Sequence, residues 1–146
     1  MGLANQHINT HTGVLHYNTA QLALGLKRGL PSVEFCLLMG SSVNGTVGEN
    51  SDLDLAFYLS EAFTLDFYTK VTEIVEIILP SVRCDIGILN RAEPIFRFEA
   101  LKGKLLFARN QDVYTAFFSL TCREYESQMF DYARQHRYRV EAANAL

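Results

Sequence analysis

Apolar and polar positions alternate along the chain with periods that change from segment to segment. Between Val33 and Met39 almost every position is apolar, as in a central strand covered by helices. Asn50 to Leu59 reads as a second strand, in which Asp52 and Asp54 alternate with Leu53, Leu55 and Phe57. Successive strand side chains point to opposite faces, so the two carboxylates share one face and the apolar residues form core on the other. Val82 to Leu89 alternates again, with Val82, Cys84, Ile86 and Ile88 opposite Arg83, Asp85, Gly87 and Leu89. Leu105 to Ala108 adds a short edge strand.

Other stretches carry the helical period. Leu15, Leu22 and Leu26 recur at helical spacing up to Arg28, and Gly29 and Pro31 then stop the helix. Lys27 and Arg28 fall in its last turn, where they favour the negative end of the dipole. Tyr68, Val71, Val75, Ile78 and Leu79 form a stripe that ends at Pro80. Pro94 suits the first turn of a helix through Leu101, and Gly103 suits its end. Asn110 or Asp112 can cap a long helix from Val113 toward Val140. Phe118, Tyr125, Met129 and Tyr132 lie near one side of it, with Arg134, Arg137 and Arg139 at its end. Those aromatics either cover the sheet or form an interaction surface, since aromatics with arginine are typical of interfaces. The pattern predicts an α/β (α+β) chain: a small mixed sheet with helices on one face, in a single domain over 1–146. Residues 1–13 read as a polar tail and 110–146 as a long C-terminal helical segment.

Composition changes this picture little. The 146 residues are 49% hydrophobic and 20% charged, ordinary for a globular chain large enough to bury a core. A net charge of −3 argues against binding nucleic acid directly by electrostatics. Cys36, Cys84 and Cys122 are widely separated inside apolar stretches and read as reduced thiols of a cytoplasmic protein. No apolar run is long enough to span a bilayer, the start lacks a signal-peptide core, and Gln6 breaks the myristoylation pattern. His7 and His11, with His16 beyond, have no acidic or thiol partner nearby and suit a polar tail better than a metal cluster.

Chemistry concentrates where the first two strands meet. Gly40-Ser41-Ser42-Val43-Asn44-Gly45 joins them, and Ser51-Asp52-Leu53-Asp54 follows. Gly40 and Gly45 let backbone approach a ligand, Ser41 adds a hydroxyl, and N–H groups of a helix opening there would receive phosphate oxygens. Two carboxylates side by side repel unless a cation lies between them, and oxygen-only ligands suit Mg²⁺. Phosphate cradle and metal carboxylates together mean nucleotide chemistry. Asp85 is a lone acid in an apolar strand, where a buried carboxylate without a partner is expensive. It either pairs with Arg83 or supplies a third metal-binding carboxylate on a neighbouring strand.

Gly40-Ser41-x-x-x-Gly45 followed by Ser51-Asp52-x-Asp54 resembles the signature of the DNA polymerase β-type nucleotidyltransferases, and the small size resembles the minimal nucleotidyltransferases (MNT) paired with HEPN-domain toxins. Val82-Arg83-Cys84-Asp85-Ile86 and Leu89-Asn90-Arg91-Ala92 are similar to that group's third-acid strand and its exit. The resemblance implies a polymerase β-like fold and a nucleotide-binding set of Gly40, Ser41, Ser42, Gly45 and Ser51. It implies a catalytic and metal-binding set of Asp52, Asp54 and Asp85 on two Mg²⁺ ions. It further implies an antitoxin that transfers AMP from ATP to a tyrosine of its HEPN toxin and forms a hetero-oligomer with it. Family members often carry arginines within the turn, where this chain has Ser42 and Asn44. The alternatives are an antitoxin that acts by binding alone and a small-molecule nucleotidyltransferase of the aminoglycoside-modifying type, for which little chain remains to build a second domain.

Overall fold

The computed structural model describes residues 13–145. The polar tail expected over 1–13, with His7 and His11, lies outside them apart from Gly13. In chain order the elements are β1 (Leu15–His16), α1 (Thr19–Gly29), β2 (Val33–Met39), a 3-10 turn (Gly40–Asn44), β3 (Thr46–Val47) and β4 (Leu53–Leu59). Then come α2 (Leu65–Ile78), β5 (Cys84–Ile88), α3 (Pro94–Leu101), β6 (Lys104–Ala108) and α4 (Gln111–Asn144). The main sheet has the order β5-β4-β2-β6, and β1 pairs with β3 in a separate two-stranded ribbon. β2 runs antiparallel to β4 and β6, while β4 and β5 are parallel, so the sheet is mixed, as the alternation predicted.

Helices cover both faces of the sheet rather than one. On the first face, Leu22 and Leu26 of α1 and Phe67, Val71 and Val75 of α2 close over Cys36, Leu38, Leu53, Leu55 and Phe57. On the second, Ala100 of α3 and Phe117 of α4 meet Phe35, Leu37 and Ala56. There Phe35 stacks on Tyr58 and meets Tyr114 and Phe117, each ring pair 5.0 Å apart between centroids. Such offset and edge contacts suit the ring quadrupole. β2 lies between both layers, which is why its run is apolar at every position but Glu34.

Local chemistry sets the ends. Asn18 caps α1, its Oδ1 accepting from Ala20 N at 2.9 Å and Gln21 N at 3.2 Å, and Lys27 and Arg28 occupy the last turn. Leu15 belongs to β1 and not to this helix: α1 begins only where Asn18 satisfies its first free N–H groups. Thr64 caps α2 through Phe67 N at 3.1 Å, which makes Phe67 the buried residue and leaves Tyr68 45% exposed, one position off the expected stripe. Pro94 opens α3.

α4 is capped by Asn110, whose Oδ1 accepts from Asp112 N. Phe117 and Thr121 are its buried residues, and Tyr125 stacks on Phe98 of α3 at 3.8 Å. Phe118 is 43% exposed and does not cover the sheet. From Phe130 to Ala145 every residue is exposed, so the distal half of the helix covers no part of the sheet. Among the described residues no helix is long and apolar enough to cross a membrane. All three cysteines are free; Cys36 is buried and Cys84 and Cys122 are partly so.

Candidate active site

The parallel pairing of β4 and β5 brings the acids together. Asp54 stands in register with Asp85, and Leu53 with Cys84. Alternation puts Asp54 on the second face, with Ala56 and Tyr58, while Leu53, Leu55 and Phe57 fill the first. Asp52 lies immediately before β4 begins. Burial, and then the negative charges of Asp85 and Asp52, push the Asp54 carboxyl above its ordinary pKa. Three carboxylates thus share one field, and Asp54 bears the strain of it.

Two expectations need correction. Asp85 is exposed, so it is not a buried acid requiring a partner; β5 is an edge strand of the sheet, open on this side. Arg83 pairs not with Asp85 but with Asp52, its Nε 3.6 Å from Oδ2. The backbone explains this choice, because Leu53 N donates to Arg83 O at 2.9 Å and so sets Arg83 beside Asp52. Among the described residues, no group of three or more His, Cys, Asp or Glu side chains stands ready to hold a metal ion. The donor set itself is all carboxylate oxygen, which suits a hard divalent cation such as Mg²⁺, and such a cation would offset both the burial and the neighbouring charges that raise the Asp54 carboxyl.

Asp54 and Asp85, without Asp52, line a cleft of about 670 Å³ together with Gly40, Gly87, Phe96, Glu99 and Lys102. Two glycines shape it. Gly40 has φ +70°, and a Cβ there would lie 2.7 Å from Asp54 Oδ2, so the turn backbone sits directly against the carboxylate. At Gly87 a Cβ would lie 2.7 Å from Phe96 Cζ; lacking one, β5 lets α3 close over the cleft.

The remaining predicted residues divide. Gly45, at φ +81°, lies away from the cleft and lines an adjoining hollow with Asn44 and Lys104. Ser42 is fully buried. Its hydroxyl donates to Asp52 O at 3.4 Å, and its carbonyl accepts from Tyr17 OH at 2.7 Å. Burial pushes that Tyr17 hydroxyl up to about 12. Only the backbone of Ser41 is described. Ser51 stands ahead of β4, its N–H donating to Gly48 O at 3.1 Å, and is not part of the cleft. The Asn90 side chain is structural: it accepts from Leu59 N at 2.9 Å and donates to Leu59 O at 2.8 Å.

Sequence reasoning missed Phe96, Glu99 and Lys102 as cleft residues, because nothing in the pattern reveals which side of α3 faces the acids. The spacing of Phe96, Glu99 and Gly103 is the signal that was available.

Comparison with known proteins bears on the family and the fold. The family model described as polymerase beta, nucleotidyltransferase, matches residues 26–112, which hold β2, the turn and all three acids. No curated protein matches the sequence. Among solved structures, a mutant of the toxin–antitoxin pair MntA-HpeT superposes with a TM-score of 0.62 at 18% identity, covering 88% of this chain and 99% of its own. A toxin–antitoxin with AMP-PNP gives 0.61 at 19% identity, covering 88% and 99%. The tri-AMPylated HEPN toxin of Shewanella oneidensis in complex with MNT antitoxin gives 0.56 at 15% identity, covering 88% and 96%. At these identities the likeness is one of fold. The family model spans more than half of the chain, and the chain belongs to the polymerase beta family of nucleotidyltransferases.

Proposed function

We propose that the chain is a magnesium-dependent nucleotidyltransferase that moves AMP from ATP onto a tyrosine of a partner HEPN toxin, and so serves as its antitoxin in the cytoplasm. The observation that carries this reading is the register pairing of Asp54 with Asp85 beside Gly40, inside the segment matched by the family model. Support for the partner comes from the similar folds, which include a toxin–antitoxin with AMP-PNP and an AMPylated HEPN toxin in complex with MNT antitoxin. The whole chain acts as one domain.

Asp52, Asp54 and Asp85 would hold Mg²⁺, two ions in the reading from resemblance. When bound, the metal neutralises the triphosphate and polarises the α-phosphorus. The Gly40 end of the turn, with Ser41 and Ser42, would meet the phosphates through its backbone, while Gly45 and Ser51 lie outside the cleft. The acceptor phenol oxygen forms a bond to the α-phosphorus as the bond to the bridging oxygen breaks and pyrophosphate leaves. Asp85, exposed at the open edge of the sheet, takes the phenolic proton. Neutralisation by binding alone is favoured by one feature, the fully exposed distal half of α4, and is the second reading.

Incubation with the toxin, ATP and Mg²⁺ tests the first. Intact-mass spectrometry should show AMP increments on the toxin, none with Asp85→Ala, and ribonuclease activity falling in step. Full neutralisation by Asp85→Ala without any mass increment would establish the binding reading instead.

A further inference from the structure

The acid cleft adjoins a second hollow of about 710 Å³, and Val43 of the turn lines both. The cleft carries the carboxylates of Asp54, Asp85 and Glu99, and its one lysine, Lys102, is paired with Glu99 at 2.9 Å. The second hollow is lined by no carboxylate, and its charged group is Lys104, set with His16, Thr19, Asn44 and Gly45. Lys104 Nζ meets Thr19 Oγ1 at 3.0 Å, and among the described residues no carboxylate pairs with it. Lys104 is exposed, so its other ammonium protons are open to solvent or to a ligand.

The fold fixes this lysine beside the turn. Lys104 is in register with Leu38, two residues before Gly40. The preceding Gly103 touches the Leu38 backbone so closely that a Cβ would overlap it. On the other side, Tyr17 N donates to Gly45 O at 2.9 Å, and Tyr17 OH binds Ser42 O, so the hollow's far wall is tied to the same turn. The turn itself contains no basic residue.

We infer that the hollow between Lys104, Thr19 and the Asn44–Gly45 end of the turn is a binding subsite for the terminal phosphates of a nucleoside triphosphate. This inference rests on the nucleotidyl-transfer reading. An ion chain of metal and polyphosphate needs carboxylates at one end and an ammonium at the other, and the two hollows meeting at Val43 provide that order. Lys104 supplies from β6 the positive charge that Ser42 and Asn44 do not supply from within the turn. A lysine suits this role as a point charge reaching phosphate oxygens.

The test is calorimetric titration of the full chain with Mg²⁺ and AMP-PNP, repeated with AMP. Lys104→Ala should weaken AMP-PNP binding by about tenfold or more, the loss of a charge-assisted contact, and leave AMP affinity within about twofold. Lys104→Arg should restore most of the affinity. Lys70→Ala, which removes an equal charge on α2 where Lys70 pairs with Asp66, should change neither. Thermal melting confirms that each variant is folded. The subsite is overturned if Lys104→Ala binds AMP-PNP as the parent does, loses AMP equally, or matches Lys70→Ala. A parent chain that bound no AMP-PNP would remove the nucleotidyl-transfer reading, and the subsite with it.

Discussion

Gly40→Ala isolates the contact between the turn and the acids. The residue has φ +70°, a conformation that costs an L-residue about 1–2 kcal/mol. For a chain of this size that lowers the melting temperature by about 2–8 °C. The added methyl also meets Asp54 Oδ2 at 2.7 Å, closer than real Cβ contacts come, so the carboxylate must move by several tenths of an ångström. A displacement approaching 1 Å at a reacting centre costs about a hundredfold in rate. Gly13→Ala is the control, with φ +74° and nothing within 4 Å of the added Cβ. Both variants carry the backbone cost, and only Gly40→Ala should lose AMP transfer by one to two orders of magnitude, on the order expected from misplacement. Melting by circular dichroism and intact-mass assays at a temperature where both are folded make the comparison. If Gly40→Ala transferred AMP as fast as Gly13→Ala, the approach of the turn to Asp54 would have no catalytic consequence.

Asp54→Asn should be more stable than the parent in chelator at neutral pH, with the gap narrowing on acidification. The folded-state pKa of Asp54 lies above the ordinary 3.8. Its protonation therefore favours folding, a contribution fully present below 3.8 and lost as pH rises through the folded value; a gap that widened toward pH 4 would contradict this. Cys84, its thiol pushed up to about 12 by burial and the neighbouring acids, should resist iodoacetamide at pH 8 in the folded chain. Peptide mapping checks it, and labelling as fast as a free thiol would refute it. Asn90→Ala removes both hydrogen bonds to Leu59 and should cost about 1–3 kcal/mol in urea unfolding; an unchanged midpoint would deny that the side chain ties β5 to the end of β4.

Much of the fold was legible because strand alternation is strict. The pairs Asp52/Asp54 and Leu53/Leu55 sort themselves onto opposite faces without tertiary information, and the apolar run of β2 announces its central place. What alternation does not encode is which strand lies beside which, or which way α3 turns. The neighbouring of the Asp54 and Asp85 strands was anticipated only through the family resemblance, and the exposure of Asp85 was not anticipated, since an edge strand and an inner one share the same pattern. Long-range partners were equally hidden. Arg83 meets Asp52 because β4 and β5 are parallel at that register, and Lys104 comes to the turn only through the β6 pairing with β2. In α4 Tyr125 and Met129 are partly buried while Phe118 and Tyr132 are exposed, because the rings around Phe35 select Phe117 over Phe118.

The central claim is that the three acids act together to transfer AMP to a protein partner. Its most direct measurement is the intact mass of the cognate toxin after incubation with this chain, ATP and Mg²⁺, beside the doubly neutralised Asp52→Asn, Asp54→Asn protein. The parent should add AMP increments to the toxin, and the variant, folded and still bound to the toxin, should add none. Equal increments from both proteins, or no increment from the parent while the toxin is neutralised, would contradict the account.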